Sequence, residues 1–177
     1  MEVPTGLLTV AEYAALGEVE PGYTELVEGR LLFCPSSSLD HNVASSQLAM
    51  AIYTALPPGL EVLVNTDLDL GLASAGEPGT VRRPDIMVIR AGARRRVRDE
   101  GRLLRAADAV LVVEVVTPES ERTDRIHKRT DYADAAIPHY WIVDISGTVS
   151  VTAEHTVTGT FRTTEPFAFE LDLSRLT

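Results

Sequence analysis

The sequence predicts an α/β fold in which helices flank a mixed central sheet, with β-hairpins towards both the N-terminal and the C-terminal ends. Two apolar strands, 109–116 and 139–144, enclose a helical pattern long enough to serve as a crossover connection. Glycine and proline signals divide the rest of the chain into short alternating elements. The 177 residues, 45% of them hydrophobic, are enough for one full core, so we predict a single domain over 1–177.

The first predicted elements are a short helix and a hairpin. Residues 9–16 form the helix, because Thr9 and Glu12 have the spacing of a capping box. A Glu-Gly pair then separates two short strand patterns, which predicts a tight turn between them. The two strands of this hairpin are Tyr23–Val27 and Arg30–Cys34.

A longer helix is predicted from about residue 40 to residue 56. A Pro-Pro-Gly run follows it and ends the helical pattern. The spacing of its apolar residues predicts one buried stripe, made of Val43, Leu48, Ile52 and Leu56.

The second part of the chain alternates strands with one further helix. The run 109–116 is almost continuously apolar, which is typical of a strand that is buried on both faces. The helix that follows carries residues at helical spacing, namely Ile126, Arg129, Tyr132, Ala133 and Ala136. The predicted elements are strands at 61–65 (continuing towards residue 70), 84–90, 109–116 and 139–144, a helix at 121–136, and hairpins within 147–173.

Composition excludes several classes of protein. No apolar stretch approaches the roughly 18 residues that cross a bilayer, so we expect no membrane partner. The first residues lack the basic region of a secretory signal, and the sole cysteine, Cys34, can form no internal disulfide. Both observations favour a reducing cytoplasm. The net charge of −10 argues against a broad electrostatic surface for nucleic acid.

One segment departs from this acidic character. Residues 82–105 contain nine arginines and three acids, a local net charge of +6 that leaves −16 on the rest of the chain. Such a segment can contact phosphates if its side chains lie on one surface, and otherwise it is a solvated charged loop. The candidate phosphate contacts are Arg94, Arg95, Arg96 and Arg98.

Lys128 is the only lysine, and the other fifteen basic side chains are all arginine. An ammonium group is a compact point charge whose pKa shifts readily, whereas a guanidinium stays charged. Lys128 is therefore a candidate catalytic group. The alternative is an exposed helix residue that pairs with Asp124 at the favourable i,i+4 spacing.

Two acids interrupt apolar strands. Asp85 begins the run 85–89, and Glu114 lies inside the run 109–116. A buried carboxylate needs a metal, a cation or hydrogen bonds to compensate it. Two carboxylates and a lysine can hold Mg²⁺ and orient water for attack on a phosphodiester, and oxygen ligands favour Mg²⁺ over zinc. The structural alternatives are backbone hydrogen bonds for Asp85 and an arginine partner, such as Arg129, for Glu114.

Several motifs in order resemble one known family. The segments are Tyr23 to Gly29, Pro35-Ser36 with His41, Arg83-Pro84-Asp85, Val112 to Pro118, the group Asp124, Lys128 and Tyr132, and Ile137 to Asp144. They look like the bacterial restriction endonuclease family within the PD-(D/E)xK nuclease superfamily, long catalogued as a domain of unknown function. The resemblance covers about residues 9–144 and is weaker in the tail.

The resemblance implies a restriction-endonuclease-like fold whose nuclease core spans about 40–145. It further implies that Asp85 and Glu114 bind Mg²⁺ or Mn²⁺. The family motif expects lysine two residues after the second acid, where this chain has Val116. Lys128 on the next helix can bring its ammonium group to the same place, which is the pattern of a migrated lysine.

Other residues match family positions or adjoin them. Glu25 and His41 match and are expected to line the site, although His41 fits a helix-capping or buried hydrogen-bonding role equally well. Asp124 fits a first-turn acid that stabilises its helix better than it fits an orienter of Lys128. The aromatic residues Tyr132, Tyr140 and Trp141 are expected in the core.

Three functional hypotheses follow from these observations. The first is a Mg²⁺-dependent endonuclease that hydrolyses DNA, with a homodimer suggested by the resemblance alone. The second is a catalytically inactive nuclease-like module that binds nucleic acid or protein, which the missing lysine at position 116 favours. The third is a metal-dependent hydrolase of another phosphate ester. Fold alone does not separate the three.

Overall fold

The computed structural model describes residues 6–17, 22–118 and 120–177. Its helices are α1 (Val10–Leu16), α2 (Leu39–Ala55), α3 (Ala93–Glu100) and α4 (Arg129–Asp134), and a π-helical segment, Thr123–Lys128, leads directly into α4. Single 3₁₀ turns occur at Ala106–Asp108 and Leu173–Leu176. Within the described ranges, no helix combines the length and the apolarity that crossing a bilayer requires.

Within the described residues, the strands form three sheets. They are β1 (Tyr23–Val27), β2 (Arg30–Cys34), β3 (Leu60–Val64), β4 (Leu68–Asp69), β5 (Val81–Arg82), β6 (Ile86–Arg90), β7 (Leu104–Arg105), β8 (Ala109–Val116), β9 (His139–Asp144), β10 (Ser150–Thr152), β11 (Thr156–Thr158), β12 (Thr160–Thr163) and β13 (Phe169–Asp172). The hairpin β1–β2 and the strands β8 and β9 have the predicted bounds.

The central sheet has six strands in the order β11-β10-β9-β8-β6-β3. Strands β8 and β9 are parallel, while all other neighbours in this sheet are antiparallel. The sheet is therefore mixed, as predicted. The chain passes from β8 to β9 through the π-helical segment and α4, which make the expected crossover.

A second sheet, of five strands in the order β2-β1-β5-β4-β7, carries the N-terminal hairpin. This sheet corrects two predictions. The strand predicted at 61–65 does not continue to residue 70, because β3 belongs to the central sheet and β4 to the second one. The strand predicted at 84–90 begins only at Ile86, and the separate strand β5 precedes it.

The two faces of β8 pack against different partners, because successive side chains of a strand point to opposite sides. On one face Leu111, Val113 and Val115 join a cluster with α2 and the C-terminal hairpin β12–β13. On the other face Val112 packs with residues from the second sheet and the crossover helix, including Leu68 and Tyr132. Glu114 alternates with Val113 and Val115, so it belongs to the second face.

An aromatic cluster attaches the C-terminal hairpin to the central sheet. The ring of Trp141 on β9 lies 5.0 Å from the ring of Phe161 and 5.6 Å from that of Phe169, centroid to centroid. Edge-to-face and tilted contacts of this kind stabilise a packed core beyond simple burial. The predicted alternation in the tail is confirmed, because Phe169 and Leu171 are buried whereas Glu170 is exposed.

Three described helices differ from the predictions, namely α2, the crossover helix and α3. Val43 was expected on the buried stripe of α2 but is exposed. Of the residues placed at helical spacing in the crossover helix, Ile126 and Arg129 are exposed. The arginine-rich segment is not a loop, since Gly92 and Gly101 bracket the helix α3. The short helix α1 is confirmed, with both hydrogen bonds of the Thr9–Glu12 capping box.

Replacement of one buried and one exposed residue on α2 tests its orientation. Leu48→Ala removes a fully buried side chain and is expected to lower the free energy of unfolding by about 2–5 kcal/mol. Val43→Ala, at 39% exposure, is expected to lower it by less than about 1 kcal/mol. Urea denaturation measures both, and equal losses would contradict the orientation of α2.

Candidate active site

The strand register brings Asp85 and Glu114 together. Strands β6 and β8 pair antiparallel with Ile86 opposite Val113, so the next pair outward in the same register is Asp85 with Glu114. Directly opposed residues of an antiparallel pair point to the same face of the sheet. The two acids that the sequence singled out are thus neighbours on one face, although 29 positions separate them in the chain.

Asp85 is held through one of its two carboxylate oxygens. Its Oδ2 atom accepts a 2.8 Å hydrogen bond from the backbone N–H of Val115 and lies 3.1 Å from Nε2 of His41. The hydrogen bond to Asp85 raises the pKa of His41 against the opposing effect of burial. Among the described residues, none contacts Oδ1 of Asp85 within hydrogen-bond distance. The carboxylate is therefore oriented with one oxygen available.

Glu114 is held in the same way. Its Oε1 atom accepts a 2.7 Å hydrogen bond from the hydroxyl of Tyr132 and lies 3.0 Å from Nζ of Lys128. No donor within the described parts of the chain reaches Oε2. Complete burial raises the pKa of Glu114 well above its usual value, although Lys128 acts in the opposite direction. Glu114 thus also presents one unengaged oxygen.

Lys128 is buried among three carboxylates. Its Nζ atom lies 3.0 Å from Glu114, 3.3 Å from Asp124 and 3.5 Å from Glu25. Burial by itself lowers the pKa of Lys128, but these carboxylates outweigh burial and raise it well above its usual value. The ammonium group has three N–H donors and therefore matches its three partners. The alternative of an exposed i,i+4 pair with Asp124 is wrong in one respect, since both residues are buried.

A buried arginine, which the sequence reasoning missed, supports Glu25. Arg82 donates from Nη1 to Oε2 of Glu25 at 2.7 Å, and from Nε and Nη2 to Oδ2 of Asp131 at 2.8 and 2.5 Å. The backbone N–H of Arg83 donates to Oε1 of Glu25 at 3.0 Å. Burial raises the pKa of Glu25, but Lys128 and Arg82 outweigh it, so that pKa is lowered. The sequence signal that could have indicated a buried cation is Asp131, an acid that lies three residues after Lys128 in the crossover helix.

Glu114 and Asp124 both contact Lys128. The alternative that Glu114 pairs with Arg129 is wrong, because the partner is Lys128. Asp124 lies in the first turn of the π-helical segment, as preferred, but it also contacts Lys128, so the two roles coexist. Tyr132 and Trp141 are core residues as expected, and the Tyr140 hydroxyl donates to the backbone carbonyl of Asp124 at 2.9 Å.

The donor atoms suit a hard divalent cation. Oδ1 of Asp85 and Oε2 of Glu114 are carboxylate oxygens on one face of the sheet, and Mg²⁺ prefers oxygen ligands. Within the described ranges, no group of three or more histidine, cysteine, aspartate or glutamate side chains is arranged to hold a metal ion. Two carboxylates are nevertheless sufficient protein ligands for Mg²⁺, which usually keeps several waters and binds substrate phosphate.

The arginines of α3 are partly engaged within the protein. Arg94 lies 3.1 Å from Glu61, and Arg96 pairs with both Asp108 and Glu100. In the described part of the chain, Arg95 and Arg98 have no ion-pair partner. The helix therefore leaves some of its positive charge for contacts outside the chain.

Comparisons with known proteins agree with this architecture. A family model described as "Putative restriction endonuclease" matches residues 10–174. A crystal structure of a "putative nuclease belonging to DUF820" from Anabaena variabilis ATCC 29413 is similar to this chain with a TM-score of 0.71. The two are 18% identical, and the match covers 96% of this chain and 97% of that one. It supports the predicted nuclease-like α/β fold. Comparison with curated proteins found no match.

The contribution of the Arg82 ion pairs to stability can be measured by substitution. Arg82→Met removes the cation between two carboxylates and is expected to cost about 3–5 kcal/mol of unfolding free energy, because Glu25 is left buried without that partner. The control is Arg162→Met, which breaks the exposed pair with Glu170 and is expected to leave stability unchanged within error. Equal behaviour of the two variants in chemical denaturation would refute the structural role of Arg82.

Proposed function

The chain belongs to the Uma2 family, described as putative restriction endonuclease, and from this premise we propose that it is a divalent-metal-dependent endonuclease that hydrolyses DNA. Membership supports nuclease function in general. The observation that carries the finer proposal is the pair Asp85 and Glu114, each with one anchored and one unengaged oxygen, beside the buried Lys128. Residues 1–177 are taken as one catalytic domain.

Asp85 and Glu114 are the residues that would hold Mg²⁺ or Mn²⁺. When bound, the ion supplies Lewis-acid stabilisation of the charge that develops on the phosphate. The protein contributes the orientation of the two carboxylates. His41 and the backbone of Val115 fix Asp85, while Tyr132 and Lys128 fix Glu114. Such supporting contacts determine ligand geometry and affinity.

The proposed role of Lys128 is to hold the attacking water and to offset negative charge on the scissile phosphate. A buried ammonium group can hold a water by hydrogen bonding and offset negative charge in a site of low dielectric constant. Its three donors already face three carboxylates, so substrate or water has to replace one of them. Glu25 is the most distant at 3.5 Å and retains Arg82 and the Arg83 backbone as partners. Glu25 is therefore the partner that Lys128 releases at the lowest cost.

The DNA backbone would be contacted by the arginines of α3. The candidates remain Arg94, Arg95, Arg96 and Arg98, of which Arg95 and Arg98 have no ion pair within the described residues. Phosphate contacts of this kind position a duplex without reading its sequence. We further propose that the enzyme acts as a homodimer, in which each subunit supplies a site for one strand.

One observation favours the second hypothesis, an inactive nuclease-like binding module. Lys128 already has three carboxylate partners, one for each of its N–H donors. An inactive module keeps the buried ion network as a structural element and needs no cation. A cleavage assay on plasmid DNA with Mg²⁺ or Mn²⁺ therefore decides between the two, with Asp85→Ala as the inactive reference.

The lysine is tested by rate and stability together. Lys128→Met keeps most of the side-chain volume and is expected to lower the cleavage rate per folded molecule by about 10²-fold or more, since one positioned polar group is lost. Lys128→Arg is expected to restore little, because a planar guanidinium cannot take the place of the ammonium group. Plasmid nicking in the presence of Mg²⁺ measures the rate.

The matched control for Lys128 is Arg129→Ala, which removes an exposed cation from the next position of the same helix. It is expected to leave the cleavage rate unchanged. Circular dichroism establishes the folded fraction of each variant, so that instability is not taken for a catalytic loss. Full activity per folded molecule in Lys128→Met would show that Lys128 is not a catalytic residue.

Metal binding is tested without any cleavage. Isothermal titration with Mn²⁺ is expected to show one site, and Glu114→Gln is expected to weaken it by at least about tenfold, because a neutral amide oxygen replaces a carboxylate. Glu154→Gln changes an exposed acid of the β10–β11 turn and serves as the control. If Glu114→Gln binds Mn²⁺ as tightly as the unmodified chain, Glu114 is not a ligand.

A further inference from the structure

A basic pocket lies between helix α3 and the strands β3 and β6. Its volume is about 380 Å³, which is within the range of small-ligand sites. Among the described residues that line it, the basic ones are Arg83, Arg94 and Arg102, and the one acid is Asp67. We name this cavity the arginine pocket. Its excess of positive charge selects an anionic ligand.

Helix α3 and the turn after it supply two of the three arginines. Arg94 lies in the first turn of α3. Gly101 has a left-handed backbone, with φ of 63°, and ends the helix. The N–H groups of Gly101 and Arg102 both donate to the carbonyl of Val97, at 2.9 and 3.3 Å. This turn folds Arg102 back along α3, so that it lines the same cavity as Arg94 and Val97.

The charge that a ligand can use comes from Arg94 and Arg102. Arg102 is exposed and has no ion-pair partner within the described chain. The Arg94 side chain is 62% exposed and pairs with Glu61 at 3.1 Å, and an exposed pair of this kind contributes little and can be exchanged for another anion. Arg83 donates two hydrogen bonds to Asp67, at 2.7 and 3.1 Å, so the charges of these two residues offset each other.

The arginine pocket adjoins one of the two candidate metal ligands. Strands β3 and β6 pair with Val64 opposite Ile86, and just beyond this pair the backbone N–H of Asn65 donates to the carbonyl of Asp85 at 3.1 Å. Asn65 lines the pocket. Arg83, which also lines it, precedes Asp85 by two residues, a span of at most about 7 Å along the chain. The pocket therefore opens directly beside the candidate active site.

Asn65 provides a neutral polar group at the edge of the pocket nearest to Asp85. Its φ of 46° lies in the left-handed region, which asparagine adopts more readily than most residues. The side chain is exposed, and no described residue forms a hydrogen bond with its amide group. Unusual backbone conformations of this kind are concentrated at functional sites. The amide N–H groups of Asn65 are free to donate to a ligand.

We propose that the arginine pocket binds the phosphate next to the scissile phosphate on the same DNA strand. Arg94 and Arg102 neutralise that phosphate, and the amide of Asn65 donates a hydrogen bond to it. The proposal rests on the proposed function, because it takes DNA as the substrate. It adds a requirement for two consecutive phosphodiesters, which favours a polynucleotide over the small phosphate esters of the third hypothesis. Arg102 and Asn65 lie outside α3 and are additional to its candidate phosphate contacts.

The first test measures DNA binding without cleavage. It uses the fluorescence anisotropy of a short labelled duplex, with and without Ca²⁺ in place of Mg²⁺. Arg102→Gln is expected to raise the dissociation constant about fivefold or more and to reduce its salt dependence by about one unit of log-log slope. The control, Arg175→Gln, removes an exposed arginine from the C-terminal 3₁₀ turn and is expected to change neither quantity.

The second test separates the side chain of Asn65 from its backbone. Glycine adopts the left-handed conformation without strain, so Asn65→Gly is expected to leave the melting temperature almost unchanged while it weakens DNA binding about threefold or more. Asn65→Asp keeps the size of the side chain but adds a negative charge, and it is expected to weaken binding more than Asn65→Gly does. If Asn65→Gly binds DNA as tightly as the unmodified chain, Asn65 serves only the backbone and does not contact the phosphate.

The third test compares a substrate that has neighbouring phosphates with one that has none. In Mn²⁺, Arg102→Gln is expected to lower kcat/KM for plasmid DNA at least about fivefold more than kcat/KM for bis(p-nitrophenyl) phosphate, which contains a single phosphodiester. Lys128→Met is expected to lower both to a similar extent, because the lysine acts at the scissile phosphate itself. This difference separates a pocket for the neighbouring phosphate from a general loss of structure.

The pocket and the proposed function can fail separately. If Arg102→Gln binds and cleaves DNA like the Arg175→Gln control, or loses activity equally on both substrates, the proposed pocket is wrong. If the unmodified chain cleaves no substrate but Arg102→Gln still weakens DNA binding, the pocket remains a site for the DNA backbone and the nuclease proposal is wrong. If the unmodified chain binds no DNA at any salt concentration, both proposals are wrong.

Discussion

A lysine ammonium group inside a protein requires compensating negative charge, and Lys128 obtains it from carboxylates on separate elements. Glu25 lies on the N-terminal hairpin, Glu114 on the central sheet, and Asp124 on the π-helical segment. Removal of charged groups from water costs several kcal/mol per ion, so these elements can pack together only if their charges match. The ion cluster thus connects the second sheet, the central sheet and the crossover helix at one point.

The same cluster explains why Glu25 needs further support. Three carboxylates around one ammonium group leave an excess of negative charge, and Arg82 reduces it by pairing with Glu25. Arg82 also pairs with Asp131 on α4. Arg82 lies in β5, a strand of only two residues that bridges β1 and β4. Arg82 therefore links the second sheet to Asp131 on α4, and it also belongs to the candidate site. The candidate active site and the packing of the fold therefore share side chains, which is common where buried ionisable groups gather.

Helix α2 divides its residues between several tasks. Its inner face fills the core with Leu48 and Ile52, and its first turn places His41 against Asp85. Its outer face leaves Leu39, Met50 and Tyr53 exposed. An amphipathic pattern read from the sequence reports apolar positions, but it does not report which of two apolar faces is covered by the chain itself. For this reason the predicted stripe included Val43, which the fold leaves exposed.

Local signals in the sequence determined the helices and strands whose ends are marked by a proline, a turn or a capping box. The apolar run of β8 ends before Pro118, the turn at Glu28-Gly29 separates β1 from β2, and the capping box starts α1, so these elements follow from short-range chemistry. The candidate pair Asp85 and Glu114, and the unusual Lys128, were also visible, because each conflicts with the composition around it.

Only the tertiary structure decided which charges meet. Glu25 and Arg82 are 57 residues apart, and Lys128 reaches Glu25 across 103 positions, distances over which no periodic pattern carries information. The assignment of β3 and β4 to different sheets has the same origin, since two-residue strands exist only through their neighbours. Propensity and spacing act over a few residues, whereas the desolvation of a charge depends on everything that folds around it.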